Sequence, residues 1–287
     1  MTYGMSPMTA RQQAERMLRY RKDYRAFARE QLRLNGKTFE LWPCQSPLVE
    51  SVERQLATKG FVRSVWLKAR QVGASTLAES FVAWRTMLWP HMNAIVIADE
   101  AERSRTLFDI AKGFYEQMDE DVKPVGRYIT KRELVFGNPS IATRSRDPGL
   151  RSRIVVDSAH KKNIAIGANW QIAHLSECAR FPDPQFVLDG VIPAVHRVPG
   201  TMIILESSAE KAGVWFRDFC ENSMRGDTAF EFQFVPWYLQ PEYYMCPVCG
   251  KSWPNVCLNK EHLIEGVEAL ELSGDERHIM AEFGLKP

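Results

Sequence analysis

The residues from Lys68 to Thr76 combine a cation, a glycine and two hydroxyls in an order that suits phosphate binding. A phosphate-binding loop (P-loop) normally reads G-x-x-x-x-G-K-[ST]: glycine lets backbone amides close around the phosphates, lysine neutralises them, and the hydroxyl ligates Mg²⁺. Gly73 and Ser75 match this pattern, whereas Ala74 replaces the usual lysine and Lys68 replaces the first glycine. Because a loop folded around one anion brings both of its ends near that anion, we expect Lys68 to bind the phosphates. The other expected nucleotide-binding residues of this loop are Ala69, Arg70, Gln71, Val72, Gly73, Ala74, Ser75 and Thr76.

Arg70 is a second cation inside the loop, and two roles are open to it. Its charge could offset the absent lysine at position 74 and act on the phosphates, which would make it a catalytic residue. The alternative is that Arg70 packs against a neighbouring carboxylate.

Phosphoryl transfer also requires a carboxylate that orients the attacking water, and two segments could supply it. Residues 95–100 end in Asp99-Glu100, and residues 170–177 end in Glu177. The first segment follows the helix of the P-loop closely, so we expect it to be the neighbouring strand. Asp99 and Glu100 would then cap the next helix, where an acid stabilises by about 0.3–1 kcal/mol. Position along the chain therefore favours Glu177 as the catalytic carboxylate.

Serine replaces the aspartate that is usual just before the catalytic glutamate, at Ser176. We expect Ser75 and the phosphates to hold Mg²⁺ directly and Ser176 to contribute through a water molecule. Magnesium tolerates this arrangement because it usually retains several waters.

The elements that must position these side chains follow from the apolar runs. Residues 61–67 form a short apolar run before the P-loop, and residues 75–88 read as a helix after it, which is the order a P-loop requires. Further short apolar runs alternate with helical or polar segments such as residues 101–118. This alternation predicts an α/β fold with a mostly parallel sheet flanked by helices. The other predicted strands are residues 94–98, 154–156, 170–175 and 202–205.

An N-terminal basic segment, residues 1–40, precedes this core. Apolar residues between Pro7 and Leu34 fall on one helical stripe, and Asn35-Gly36 predicts the end of that helix. Many arginines surround the stripe. They could form the solvated face of a helix docked on the core, or they could contact DNA or a partner protein.

Composition limits the class of protein. The 287 residues are 45% hydrophobic, and no run approaches the roughly 18 apolar residues of a membrane span. The first ten residues lack the pattern of a secretory signal, so we expect a cytosolic protein without a membrane partner. The net charge of +2 neither requires nor excludes nucleic acid.

A composition shift near Pro236 predicts a small C-terminal subdomain, residues 236–287, after a core of residues 41–235. Six cysteines in a chain of this length are not typical of a disulfide scaffold. Cys246 and Cys249 have the spacing of half a zinc knuckle, with Cys257 as a third candidate ligand and His262 as a fourth. A buried or solvent-facing thiol pair is the alternative to a Zn²⁺ site.

Four motifs, taken together in this order and spacing, resemble the ATPase portion of the large terminase subunit of tailed bacteriophages. The similarity spans roughly residue 41 to the C-terminus. The matching segments are K-x-x-x-x-G-x-S at Lys68, Gly73 and Ser75; His174-Leu175-Ser176-Glu177; Glu206-Ser207-Ser208-Ala209; and Gln45 upstream.

The resemblance implies a P-loop ATPase of the ASCE type with ATP and Mg²⁺ as cofactors, driving double-stranded DNA into a procapsid in the host cytoplasm. Gln45 would recognise adenine, and Glu206, Ser207, Ser208 and Ala209 would couple the γ-phosphate state to the DNA-gripping surface. The implied partners are DNA, the phage portal protein and the small terminase subunit. We expect a homo-oligomeric ring during packaging and a monomer in isolation.

The resemblance also sets two further expectations. The family's nuclease domain of the RNase H type would follow residue 287, so we expect ATPase activity without DNA cleavage. The family often places an arginine, which enters the neighbouring subunit's site, immediately before a glycine, yet here Ile166 precedes Gly167. Arg151 is our first candidate for that catalytic arginine. Contact with DNA phosphates, or a surface role, is the alternative for Arg151 and its basic neighbours.

Two other functions compete with this one. A helicase-like remodelling ATPase would use Asp99 and Glu100 in place of Glu177. A non-hydrolysing nucleotide-dependent or zinc-dependent assembly module would explain the missing lysine at position 74.

Overall fold

A computed structural model describes residues 9–161, 169–210, 213–236 and 248–250 of the chain. The chain divides into two compact units, Met1–Val235 and Pro236–Pro287. The first unit holds every helix and strand described below. Within the described residues, no helix is long and apolar enough to cross a bilayer.

The central element of the first unit is an eight-stranded sheet. Its order is β10-β3-β9-β8-β4-β7-β6-β5, and all neighbours pair in parallel except β5 with β6 and β6 with β7. The predicted mostly parallel sheet is therefore confirmed. A separate two-stranded hairpin precedes it. The strands are β1 (Arg33–Leu34), β2 (Lys37–Thr38), β3 (Val62–Lys68), β4 (Asn93–Ala98), β5 (Gly126–Ile129), β6 (Glu133–Phe136), β7 (Ser152–Ser158), β8 (Ile172–Ser176), β9 (Met202–Ser208) and β10 (Glu231–Val235).

Helices cover both faces of the sheet, because its inner strands are apolar on both sides. Ile204 of β9 packs in one core cluster and the next residue, Leu205, packs in another, as alternation along a strand requires. The first cluster contains residues of α1 to α5, and the second contains residues of α6 and α7. The helices are α1 (Ala10–Lys22), α2 (Tyr24–Gln31), α3 (Ser46–Thr58), α4 (Ala74–Leu88), α5 (Ala101–Glu116), α6 (Pro184–Ala194) and α7 (Val214–Arg225).

The carboxyl ends of the parallel strands lie at one edge of the sheet, and three of them carry the predicted site residues. Lys68 ends β3, Ser176 ends β8 and Ser208 ends β9. Strand β9 lies between β3 and β8, so the P-loop strand is separated by one strand from the strand that leads to Glu177. This interposed strand fits the ASCE-type arrangement.

One expectation about strand order was wrong. We expected residues 94–98 to form the neighbour of the P-loop strand, but β9 and β10 flank β3, and β4 lies beyond β8. Proximity along the chain is a poor guide here, because a helical crossover can pass over several strands before the chain re-enters a parallel sheet.

The N-terminal segment forms two helices rather than the single helix predicted from its apolar stripe. Asp23 separates them and accepts a hydrogen bond from the Ala26 amide at 2.9 Å, which caps α2. Asn35 and Gly36 have φ values of +52° and +77° and join β1 to β2. Two successive positive φ values are typical of a tight hairpin turn, so this dipeptide reverses the chain.

Arginines of α1 and α2 are used largely in contacts within the chain. Arg16 pairs with Asp119, and Arg19 pairs with Glu30. Arg25 pairs with Glu53 at 3.2 Å. These contacts favour the interpretation in which the basic face belongs to helices docked on the core.

Candidate functional site

The P-loop connects β3 to the amino end of α4, as its sequence predicts. Gly73 has a φ of +66°, and a Cβ atom there would lie 2.5 Å from Gln45 Nε2, so only glycine fits without displacing that amide. Gln71 also has a positive φ, of +59°. The turn therefore aims the loop at the start of α4, where unpaired backbone amides and the helix dipole favour an anion.

Lys68 lies between two carboxylates at the end of β3. Its Nζ atom is 2.8 Å from Glu177 Oε1 and 3.3 Å from Glu206 Oε2. Burial by itself would lower the pKa of Lys68, but the charges of Glu206 and Glu177 outweigh that effect and raise it. The lysine is therefore a fixed cation at the mouth of the P-loop.

Glu206 connects the P-loop to two neighbouring strands. Its Oε1 atom accepts hydrogen bonds from Ser75 Oγ at 2.7 Å and from Ser176 Oγ at 2.6 Å. The side chain is fully buried. Burial would raise the pKa of Glu206, yet Lys68, His174 and the Ser176 hydrogen bond lower it to about 2. Glu206 is thus an ionised carboxylate inside the protein.

A buried histidine lies behind Glu206. His174 Nδ1 is 2.6 Å from Glu79 Oε1, and His174 Nε2 is 3.5 Å from Glu206 Oε1. Burial would lower the pKa of His174, but the two flanking glutamates raise it to about 9. Burial raises the pKa of Glu79, and His174 only partly counters this. The two carboxylates therefore favour the protonated, cationic form of the imidazole.

Sequence reasoning missed the pairing of His174 with Glu79 and the contacts of Glu206 with the P-loop. A signal was present, because Glu79 is a single acid within the apolar run that follows the P-loop, and His174 is a single ionisable residue within an apolar strand. Ionisable residues at such positions are seldom fully buried without a partner.

Glu177 follows β8 with a φ of +54°, a conformation that non-glycine residues rarely adopt. Its Oε2 atom accepts hydrogen bonds from Ser207 Oγ at 3.3 Å and from Ser208 Oγ at 3.5 Å. Together with Lys68, these hydroxyls fix the carboxylate at the edge of the sheet. The structure therefore brings the expected catalytic glutamate and the expected coupling segment into contact, with Ala209 exposed just beyond.

The competing segment is arranged differently. Asp99 pairs with Arg103 at 2.7 Å, one turn into α5. Glu100 occupies the N-cap position of α5, but its side chain makes no cap hydrogen bond. The expectation that both acids cap α5 is therefore only partly met, because Asp99 pairs with Arg103 of α5 and Glu100 makes no side-chain cap hydrogen bond.

The side-chain amide of Gln45 is hydrogen-bonded to the backbone of the P-loop. Its Nε2 atom donates to the carbonyls of Val72 at 3.2 Å and Gly73 at 3.0 Å, and its Oε1 atom accepts from the Trp42 amide. A cavity of about 380 Å³ adjoins it, lined in part by Trp42 and Thr76. The amide expected to recognise adenine is thus engaged with the loop backbone, at the edge of a cavity large enough for a base.

Three predicted site residues lie outside this cluster. Arg70 pairs with Glu210 at 3.3 Å and is 73% exposed, which corresponds to the alternative role given to it. Arg151 precedes β7 at the amino edge of the sheet, opposite the P-loop, so it cannot act on the site of its own chain. Cys249 is an exposed free thiol.

The remaining predicted zinc ligands, Cys246, Cys257 and His262, lie outside the described residues, so zinc binding stays a prediction. In the part of the chain that the structure describes, no group of three or more His, Cys, Asp or Glu residues could hold a metal ion.

The donor set beside the P-loop suits magnesium rather than a softer metal, since it consists of hydroxyl and carboxylate oxygens. Ser75 and Ser176 present hydroxyls, and Glu206 presents a carboxylate. Glu206 Oε2 is buried and has no hydrogen-bond partner among the described residues, apart from the Lys68 ion pair. Such an atom fits a site that completes its contacts with a hydrated cation and nucleotide.

Comparison with solved structures confirms the fold. The crystal structure of the HK97 bacteriophage large terminase matches with a TM-score of 0.57 and 15% sequence identity, over 94% of this chain and 51% of that chain. The chain thus spans about half the length of the HK97 protein. The large terminase ATPase domain of Thermus phage P74-26 matches with a TM-score of 0.47 and 16% identity, over 70% of this chain and 88% of that chain.

No known protein-family model and no curated protein sequence matches the chain. The resemblance to phage large terminases that the four motifs indicate is therefore supported at the level of fold.

The buried histidine predicts a specific pH dependence of stability. Because the pKa of His174 is raised from 6.5 to about 9, its contribution to stability is complete below pH 6.5 and is lost as the pH rises towards 9. Between these values the free energy of unfolding of the wild type should fall by at most about 1.4 kcal/mol per pH unit. His174→Gln should remove that slope. Urea denaturation at several pH values measures both.

His160→Gln, at an exposed histidine, is the matched control and should keep the wild-type profile. Parallel wild-type and His174→Gln curves from pH 6.5 to 9 would contradict the proposed protonation.

Proposed function

We propose that this chain is an ATPase that powers translocation of double-stranded DNA, as the motor portion of a phage large terminase. The observation that carries the proposal is the meeting of Lys68 and Glu177 at the carboxyl edge of the sheet, 2.8 Å apart, beside the hydroxyl of Ser75. The cation, the carboxylate and the metal-binding hydroxyl are the parts that ATP hydrolysis requires.

The proposal assigns a role to each residue of the site. The Lys68 ammonium and the amides at the start of α4 bind the phosphates, and the cavity beside Gln45 receives the base. Ser75 holds Mg²⁺ directly and Ser176 holds it through a water molecule, and the bound ion would neutralise phosphate charge. Glu177 orients the attacking water and accepts its proton.

The ion pair between Lys68 and Glu177 also suggests how the catalytic glutamate is kept inactive until nucleotide binds. A phosphate that takes over the lysine ammonium leaves Glu177 without its strongest partner. The carboxylate is then available to accept a proton from water. Ser207 and Ser208 donate hydrogen bonds to the same carboxylate. They would transmit the release of Glu177 from Lys68 into β9 and the coupling segment.

Contact with DNA is proposed at a basic cavity on the opposite edge of the sheet. This cavity, of about 340 Å³, includes four arginines and one acid, Glu133, which pairs with Arg153 at 3.3 Å. The arginines are Arg127, Arg144, Arg151 and Arg153. Motors that move along DNA bind its backbone rather than its bases, so the binding should tolerate any sequence and depend strongly on salt.

The remaining partners of the motor also belong to this proposal. The chain would assemble as a ring on a portal protein, with a small terminase subunit presenting the DNA. The catalytic role is the alternative to DNA contact for Arg151, and in that role it would serve the site of a neighbouring subunit, because it is remote from the site of its own chain.

Loss of the catalytic carboxylate should abolish turnover while leaving nucleotide binding intact. We expect Glu177→Gln to lower steady-state phosphate release by roughly 10²- to 10⁴-fold, because removal of a general base costs about that much. Lys68→Ala should weaken nucleotide binding as well, since it removes the buried cation. Phosphate release and binding of a fluorescent ADP analogue separate the two effects.

Glu100→Gln, at an exposed acid, is the control and should keep full activity. Turnover that survives Glu177→Gln but not Glu100→Gln would favour the helicase-like alternative. A wild-type chain that binds nucleotide without turnover at any concentration would favour the non-hydrolysing assembly module.

The basic cavity predicts a salt dependence of DNA binding that individual arginines control. Removing one phosphate contact lowers the slope of log K against log salt by about 0.9. Arg127→Ala should therefore reduce the slope by about one for duplexes of unrelated sequence, as measured by fluorescence anisotropy. Arg11→Ala, at an exposed pair with Glu15 on α1, should leave the slope unchanged. Equal slopes for the two variants would exclude this surface.

A further inference from the structure

The acid missing from the strand that leads to Glu177 has a counterpart on the next strand. Ser176 ends β8 where P-loop ATPases carry a metal-binding aspartate. In the β8–β9 ladder, Ser176 is paired in register with Glu206. The side chains of a directly paired position lie side by side on one face of the sheet. A carboxylate at position 206, in place of one at position 176, therefore still lies beside the Ser75 hydroxyl.

We propose that Glu206 supplies the carboxylate that aspartate provides at position 176 in other P-loop ATPases, holding the Ser75 hydroxyl and the hydrated Mg²⁺ of the bound nucleotide. This inference rests on the proposed function. It gives Glu206 a direct role at the metal, in addition to the coupling role that its motif implies.

The contacts of Glu206 are those that such a role requires. Its Oε1 atom is 2.7 Å from Ser75 Oγ, the expected metal ligand, and 2.6 Å from Ser176 Oγ. Its Oε2 atom is buried and, apart from the ion pair with Lys68 at 3.3 Å, has no hydrogen-bond partner among the described residues. Oε1 therefore holds the Ser75 hydroxyl, and Oε2 faces the ammonium of Lys68.

The other acids near the P-loop are committed elsewhere. Asp99 pairs with Arg103 at the start of α5. Glu177 contacts Lys68 and the hydroxyls of Ser207 and Ser208. Among the described acids, Glu206 is the one that accepts a hydrogen bond from Ser75.

The surroundings also hold Glu206 in one place. It lies within β9, whose residues are all buried, and His174 approaches its Oε1 atom from behind at 3.5 Å. A charged side chain supported in this way is preorganised for a cation, since a metal ligand depends on partners that fix its orientation.

The test separates metal binding from nucleotide binding. A fluorescent ADP analogue is titrated into the whole chain in EDTA, and Mg²⁺ is then titrated into the complex. Mn²⁺ bound to the same complex is counted by electron paramagnetic resonance. Glu206→Gln keeps the size of the side chain and removes its charge. Glu231→Gln, at a partly buried acid on β10 that pairs with Arg54, is the matched control.

We expect Glu206→Gln to lower the affinity of the ADP complex for Mg²⁺ and Mn²⁺ by roughly 10- to 100-fold, the usual effect of losing a partner that orients a metal ligand. Metal-free ADP should bind as tightly as before or more tightly, because one negative charge beside the phosphates is gone. A residue with only a structural role would weaken both kinds of binding. Glu231→Gln should change neither.

A double variant that combines Ser176→Asp with Glu206→Ser returns the carboxylate to the usual strand. We expect it to regain most of the affinity for Mg²⁺ that Glu206→Gln loses. If this variant does not fold, the single variant still decides the question. Unchanged Mg²⁺ affinity in Glu206→Gln, or an equal loss of metal-free ADP binding, would overturn the inference alone. Failure of the wild type to bind ADP would overturn the proposed function itself.

Discussion

The ammonium of Lys68, held between Glu177 and Glu206, is the interaction on which the rest of the site depends. It ties the P-loop strand to β8 and β9 and places one cation where a phosphate would arrive. In other P-loops the lysine lies on the helix side of the loop, so its charge reaches the phosphates from α4. Here the charge comes from the strand side. The glycine-dependent turn at Gly73 and the backbone amides at the start of α4 complete the phosphate-binding site.

This arrangement is costly to assemble and sensitive to loss of any member. Taking ions out of water costs several kcal/mol each, and removing one partner of a buried pair typically costs about 3–5 kcal/mol. Three acids and two cations share the buried cluster, which consists of Lys68, Glu79, His174, Glu177 and Glu206. Clusters of buried ionisable groups that perturb one another's pKa values are typical of functional sites.

Much of this structure was predictable from local sequence, and the failures share one physical cause. The P-loop, the strand β3 before it and the helix α4 after it follow from apolar periodicity and from glycine. The place of β4 and the partners of Glu206 do not, because they depend on which strands become neighbours. Register decides that Ser176 pairs with Glu206, and no local pattern encodes a register between strands 30 residues apart. A buried acid such as Glu79 signals only that some partner exists.

The central claim, that Lys68 binds phosphate in place of the missing loop lysine, is tested most directly by a crystal structure with Mg²⁺ and ADP–beryllium fluoride. The account predicts that Lys68 Nζ leaves Glu177 and lies within hydrogen-bonding distance of the β-phosphate or fluoride atoms, while Glu177 faces the attacking water. A bound nucleotide with Lys68 still paired to Glu177 and directed away from the phosphates would contradict it.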